Sequence, residues 1–132
     1  MHKTSPLANG FAAIALAAIG LAALAAPALA GTYPVSGKWG VATKVQIGPI
    51  DCSKLRVIDF KGNQRTDSGG GVPAYRNRSV TADDATHFRI VDEFTTGQIS
   101  GAHLNYTLDK TDADHIVLNM QPGGALKLQR CK

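Results

Sequence analysis

The sequence has 132 residues, with 14 Lys and Arg against 10 Asp and Glu, a formal net charge of +4 and two cysteines. That length leaves room for one domain. Basic residues never run together, so the excess reads as solvated charge and excludes a nucleic-acid-binding tract.

Residues 1–30 read as a secretory signal peptide. Lys3 and the amino terminus form the positive start, Phe11 to Ala26 is apolar, and Ala28-Leu29-Ala30 is an A-x-A cleavage signature before Gly31. The apolar run is short of the about 20 residues that a membrane helix needs. The expected product is a secreted or periplasmic chain, 31–132, with no membrane span and a single β-barrel domain. In an oxidising compartment Cys52 and Cys131 read as a disulfide. Closing a loop of about 80 residues would stabilise the fold by roughly 4 kcal/mol.

After Gly31 the apolar pattern alternates with period two and turn signals recur at short spacing, which predicts an all-β chain. Strands are expected near 37–46, 53–60, 72–80, 86–94, 98–108, 114–121 and 125–131, with a short piece near 64–66. Trp39, Val41, Thr43 and Val45 share one face of the first strand. Residues 61–71 read as a long connection with glycines at its end. Downstream, Phe88, Ile90 and Phe94 share a side, as do Leu104, Tyr106 and Leu108, then Ile116, Leu118 and Met120, then Leu126, Leu128 and Arg130. Thr95-Thr96-Gly97 fits a hairpin loop with Gly in the left-handed position, pairing Phe88 with Leu104. Pro122-Gly123-Gly124 fits another, pairing Leu118 with Leu128. The expected fold is a small antiparallel meander barrel of seven to eight strands, closed so that no sheet edge is left bare. Placing Cys52 on the second strand and Cys131 on the last tilts the count toward seven.

Gly37-Lys38-Trp39 on the first strand, with Arg130 on the last, resembles the signature of calycins, the lipocalins and small bacterial peptidase inhibitors. The resemblance implies that Trp39 plugs the barrel base and that Arg130 packs over its ring, a contact worth about 1–2 kcal/mol. In the inhibitors a segment ahead of the G-x-W enters the protease cleft. Here that segment is 31–36.

Candidate chemistry is sparse. His87, His103 and His115 share the outer face but are spread along it, so no metal site is expected. Inward-facing Asp92 needs a partner when buried, with Arg56, Arg76 or Arg130 as candidates. The polar strand Tyr75 to Ser79 carries Arg76 and Arg78 on one face, a pair able to hold a carboxylate or phosphate. No G-x-S-x-G, P-loop or H-E-x-x-H pattern occurs, so neither an enzyme nor a cofactor is expected. The expected function is an exported, non-enzymatic barrel that binds an unidentified small molecule at a mouth near Gly70, with Tyr75, Arg76 and Arg78 as contacts. The alternatives are a peptidase inhibitor acting on a secreted protease through 31–36 and neighbouring loops, and an envelope protein acting by surface contacts.

Overall fold

A computed structural model describes residues 31–69, 74–97, 99–120 and 123–132. The expected leader, Gly70 and the rest of 70–73 lie outside the described residues. Eight strands form a closed antiparallel barrel in chain order: β1 (Gly37–Val41), β2 (Val57–Lys61), β3 (Gln64–Asp67), β4 (Ala74–Ala82), β5 (His87–Phe94), β6 (His103–Asp112), β7 (His115–Met120) and β8 (Gly124–Arg130). β8 closes on β1 through Trp39↔Arg130 and Val41↔Leu128. The all-β expectation holds, and so does the disulfide between Cys52 and Cys131.

The lean toward seven strands is corrected. The piece near 64–66 is a full staff of the barrel, paired to β2 by Phe60↔Arg65 and to β4 by Arg65↔Tyr75. The strand-count argument failed because Cys52 is not on β2. It lies in the 42–56 connection, which folds back along the outer wall. There Ile50 bridges in parallel to Cys131, taking Arg130 O on its N–H at 2.9 Å and accepting from Lys132 N at 2.9 Å. Gly40 makes this strap possible. A Cβ at that position would sit 2.6 Å from Cys52 Sγ and 3.0 Å from Leu55 Cδ1, so only glycine lets the strap lie against β1.

The first strand is also shorter than its alternation suggests. It ends at Val41, and Val45, expected beside Trp39 in the core, is 79% exposed. Two hairpin registers shift by even steps. Phe88 faces Leu108, not Leu104, and Leu118 faces Leu126, not Leu128. The 95–102 connection is longer than a tight hairpin loop and carries its own bonds, Gly101 N to Phe94 O and Ala102 N to Ile99 O. Gly97 does take the left-handed conformation, with φ 80°. Because side chains alternate with period two, even shifts leave every face unchanged.

Most core residues accordingly point where the pattern placed them, and Ile58 and Phe60 on β2 join them. Trp39, Ile58, Phe60, Ile90, Leu108, Ile116, Leu118 and Leu128 are all buried in one cluster. The two barrel ends differ. At the base, the 31–36 segment is tied in: Tyr33 is buried, its N–H donates to Gly62 O at 3.1 Å, and Gly31 N donates to Asn77 Oδ1 at 3.2 Å. The opposite end, the mouth, is where β1, β3, β5 and β7 finish.

Candidate functional site

The barrel encloses a polar cluster. Asp92 on β5 and Arg65 on β3 are both fully buried, and Arg65 Nε donates to Asp92 Oδ2 at 2.8 Å. Asp92 takes three more hydrogen bonds, from Tyr33 Oη at 2.9 Å, Tyr106 Oη at 2.8 Å and Asn77 Nδ2 at 3.3 Å. Its two oxygens are thus well supplied. Burial, then the Asp92 charge, raises the Tyr33 phenol above its ordinary range. Burial is also the main cause for Tyr106, so both act as neutral donors. For Arg65 burial opposes the charge, but the Asp92 carboxylate outweighs it and the guanidinium stays protonated.

Arg65 is less well served than its partner. Its guanidinium carbon lies 3.8 Å from the centre of the Tyr75 ring and 5.1 Å from that of Tyr106. Yet Nη1 and Nη2, both sealed from solvent, have no hydrogen-bond acceptor among the described residues. The neighbouring carboxylate cannot fill the gap. Asp67 is held by Arg56 through two bonds, Nε to Oδ1 at 2.8 Å and Nη2 to Oδ2 at 2.6 Å. Burial alone would raise the Asp67 carboxyl, but Arg56 and the Gly69 N–H bring it below the usual range. A buried donor left unpaired costs about 1–3 kcal/mol, and more when it is charged.

Toward the mouth the lining turns apolar. Tyr75 packs on Phe94 with ring centres 5.1 Å apart. Val41, Phe94, Leu104, Met120 and Leu126 sit at the mouth ends of their strands and are only partly buried. At the base, Arg130 lies 4.4 Å from the Trp39 ring centre, as the G-x-W reading expected, and Trp39 Nε1 donates to Ser36 O at 3.1 Å.

The residues expected to form one binding face are separated. Tyr75 points inward and is buried. Arg76 and Arg78 lie on the outer wall, where both reach Glu93 Oε2, at 3.1 and 3.7 Å. Arg78 is the extra residue of a bulge between Asn77 and Ser79. The Arg76 hydrogen bond holds the Glu93 carboxyl below its usual range. Arg65, the inward cation, was missed because "NQRTD" reads as a polar connection. The signal that could have found it was Asp92, since a carboxylate facing the core demands a cation on the same face. Neither Arg56, Arg76 nor Arg130 plays that part.

The histidines are held separately. His87 sits opposite Asp109 and is bound to Asp84, with Nδ1 2.8 Å from Oδ1. His103 faces Glu93 across the β5–β6 pair. His115 donates Nδ1 to Asp112 Oδ1 at 2.7 Å and Nε2 to Gln46 O at 2.8 Å. With both ring nitrogens facing acceptors, the imidazolium is the form that fits. The Asp112 hydrogen bond accordingly raises the His115 pKa. Among the described residues no cluster of His, Cys, Asp or Glu has metal-site geometry.

His115 belongs to a second feature, a clamp on the 42–49 loop. Buried Gln129 donates Nε2 to Lys44 O at 2.6 Å and accepts from Gln46 N at 3.1 Å. The loop so fixed presents Val45 and Ile47, 79% and 102% exposed. On the opposite wall a shallow groove of about 420 Å³ runs over Ser79, Thr81, Arg89, Asn105, Thr107 and Asn119.

Comparison with protein-family models, curated proteins and solved structures found no match to this chain.

Proposed function

We propose that this chain is an exported, non-enzymatic, calycin-like barrel that binds a small ligand at its mouth. The single observation that carries the reading is the contrast between the two ends. The base is closed by Tyr33, Trp39 and Arg130. The mouth instead has partly accessible apolar side chains and, beneath them, a guanidinium with unmatched donors. Pockets that combine an apolar wall with a few convergent polar groups are the usual form of small-molecule sites. Export rests on the leader pattern of residues 1–30. The test is native mass spectrometry after mild purification. A bound mass that leaves on denaturation is expected, and a bare chain that gains no thermal stability from any small molecule would contradict the reading.

A second reading is favoured by the clamped loop. A fixed segment that exposes Val45 and Ile47 suits insertion into the cleft of a secreted protease. The 31–36 segment is a poorer candidate for that task, because Tyr33 is spent on Asp92 and Gly62. Titration against secreted serine, cysteine and metallopeptidases tests it. Inhibition that disappears in a Val45→Asp/Ile47→Asp variant supports the loop, and full activity of every peptidase at saturating protein rejects it.

A further inference from the structure

We infer that the wall bearing the 42–56 strap docks this protein reversibly on an anionic phospholipid surface, with Val45 and Ile47 entering the interface and Lys44 and Lys127 meeting the phosphates. The inference is independent of mouth binding. Val45 and Ile47 are two of the three large apolar side chains exposed among the described residues, and they stand two positions apart on one loop. A single exposed aliphatic residue needs no explanation. This pair differs because the loop beneath it is fixed. Gln129 binds Lys44 O and Gln46 N, and His115 binds Gln46 O. The disulfide and the Ile50–Cys131 bridge hold the strap beyond it. Folding gains nothing from holding aliphatic side chains in water. A tip fixed in advance lowers the ordering cost of burying them against something else.

Charge identifies what that surface is. Lys44 adjoins Val45 in the chain, and Lys127 lines the same groove as Val45. Lys54 is exposed further along the strap. Between 42 and 56 only Asp51 carries negative charge, and nearby Asp112 is engaged by His115. Among the described residues the one lysine in an ion pair is Lys61, with Asp59. The β4–β5 wall is the reverse case: Arg76 and Arg78 share Glu93, and Arg89 meets Asp83. Unpaired cations and exposed aliphatic side chains therefore coincide on one wall. A bilayer presents phosphates outside and hydrocarbon beneath, and both features of this wall match that order. A polyanionic polysaccharide offers the charges without the apolar layer.

The experiment is sedimentation of residues 31–132, which hold the complete barrel, with vesicles of phosphatidylglycerol or of phosphatidylcholine. Binding to phosphatidylglycerol alone is expected, and it should fall steeply as salt rises to about 0.5 M, where the screening length drops below about 5 Å. Lys44→Gln/Lys127→Gln should weaken binding about five-fold per lysine. Val45→Ser/Ile47→Ser should weaken it about ten-fold or more. Ile99→Ser, which removes an exposed aliphatic side chain from the 95–102 loop, should leave it unchanged. All five positions are exposed, so these variants keep the fold. Ile47→Trp should add an emission that moves to shorter wavelength with phosphatidylglycerol vesicles. No binding to phosphatidylglycerol at low salt, or binding that Val45→Ser/Ile47→Ser retains in full, overturns the inference. Equal binding to the two lipids, or an Ile47→Trp emission that the vesicles leave unmoved, overturns it as well. Peptidase titration and native mass spectrometry are read separately, so failure here leaves cleft insertion and mouth binding standing.

Discussion

Arg65 reaches Asp92 across the barrel interior at 2.8 Å, with neither side chain exposed, and the two partners depend on each other unequally. Asp92→Ala strips Arg65 of its one acceptor and leaves an unpaired cation in the core. Removing one partner of a buried pair costs about 3–5 kcal/mol. Arg65→Met leaves Asp92 with Tyr33, Tyr106 and Asn77 as donors. It should therefore destabilise less than Asp92→Ala. Urea unfolding of the two variants checks the order, and a larger loss for Arg65→Met would reverse the account of which residue is better solvated by the protein.

Gly40 and the disulfide strap compete for one space. A methyl at position 40 meets Cys52 Sγ and Leu55 Cδ1. Gly40→Ala should cost about 1–3 kcal/mol through overpacking. The penalty should shrink when the same change is made in a Cys52→Ala/Cys131→Ala background, where the strap is released. Chemical denaturation of the four variants measures the coupling. An unchanged penalty would mean that Leu55 alone fixes the strap.

Arg130 serves both Trp39 and Asp114, whose Oδ1 lies 3.4 Å from its Nε. Its guanidinium lies over the indole at 4.4 Å and also donates to Ala113 O at 3.1 Å. Arg130→Met should lower stability by about 1 kcal/mol, the usual scale for a cation–π contact at a partly exposed site. It should also change the emission of Trp39, the only tryptophan in the chain. Fluorescence-detected unfolding reads both quantities at once. Neutral stability with unchanged emission would count against the contact.

The His115 clamp gives the 42–49 loop a pH dependence. Its pKa is raised in the folded state by Asp112 and by Gln46 O. Its contribution is therefore fully present below the ordinary histidine range, near about 6.5. It is lost as pH rises through the raised value. The matching effect on Asp112, whose carboxyl His115 lowers, means the contribution also fades in acid as Asp112 is protonated. The difference in melting temperature between the unaltered chain and His115→Gln should be greatest in mildly acidic buffer and vanish in alkaline buffer. A difference that is flat across this range would show that the clamp does not need the imidazolium.

How far the sequence carries depends on what alternation can encode. Inward placement of Trp39, Ile90, Leu108, Leu118 and Leu128 was legible, because each sits in a run where every second residue is apolar. Registers were not, because shifting Phe88 from Leu104 to Leu108 buries the same face and only the length of the 95–102 loop distinguishes the two. β3 was the least legible strand. Its inward residues are Arg65 and Asp67, so its pattern is polar on both faces and mimics a connection. The site suffered from the same fact. Tyr75 was found on the strand pattern, but its true partner in the core was the arginine on the strand that read as a loop. The strap that carries Cys52 was hidden too, since nothing in residues 42–56 announces that the chain leaves the mouth and descends the outer wall.

The central claim is that the barrel seals in a guanidinium whose two η nitrogens have no acceptor among the described residues. The most direct measurement is an atomic-resolution crystal structure of the protein after mild purification, read at the Arg65 Nη1 and Nη2 atoms. The account predicts that neither nitrogen lies within hydrogen-bond distance of a protein oxygen. Protein carbonyl or carboxylate oxygens bonded to both nitrogens would contradict it.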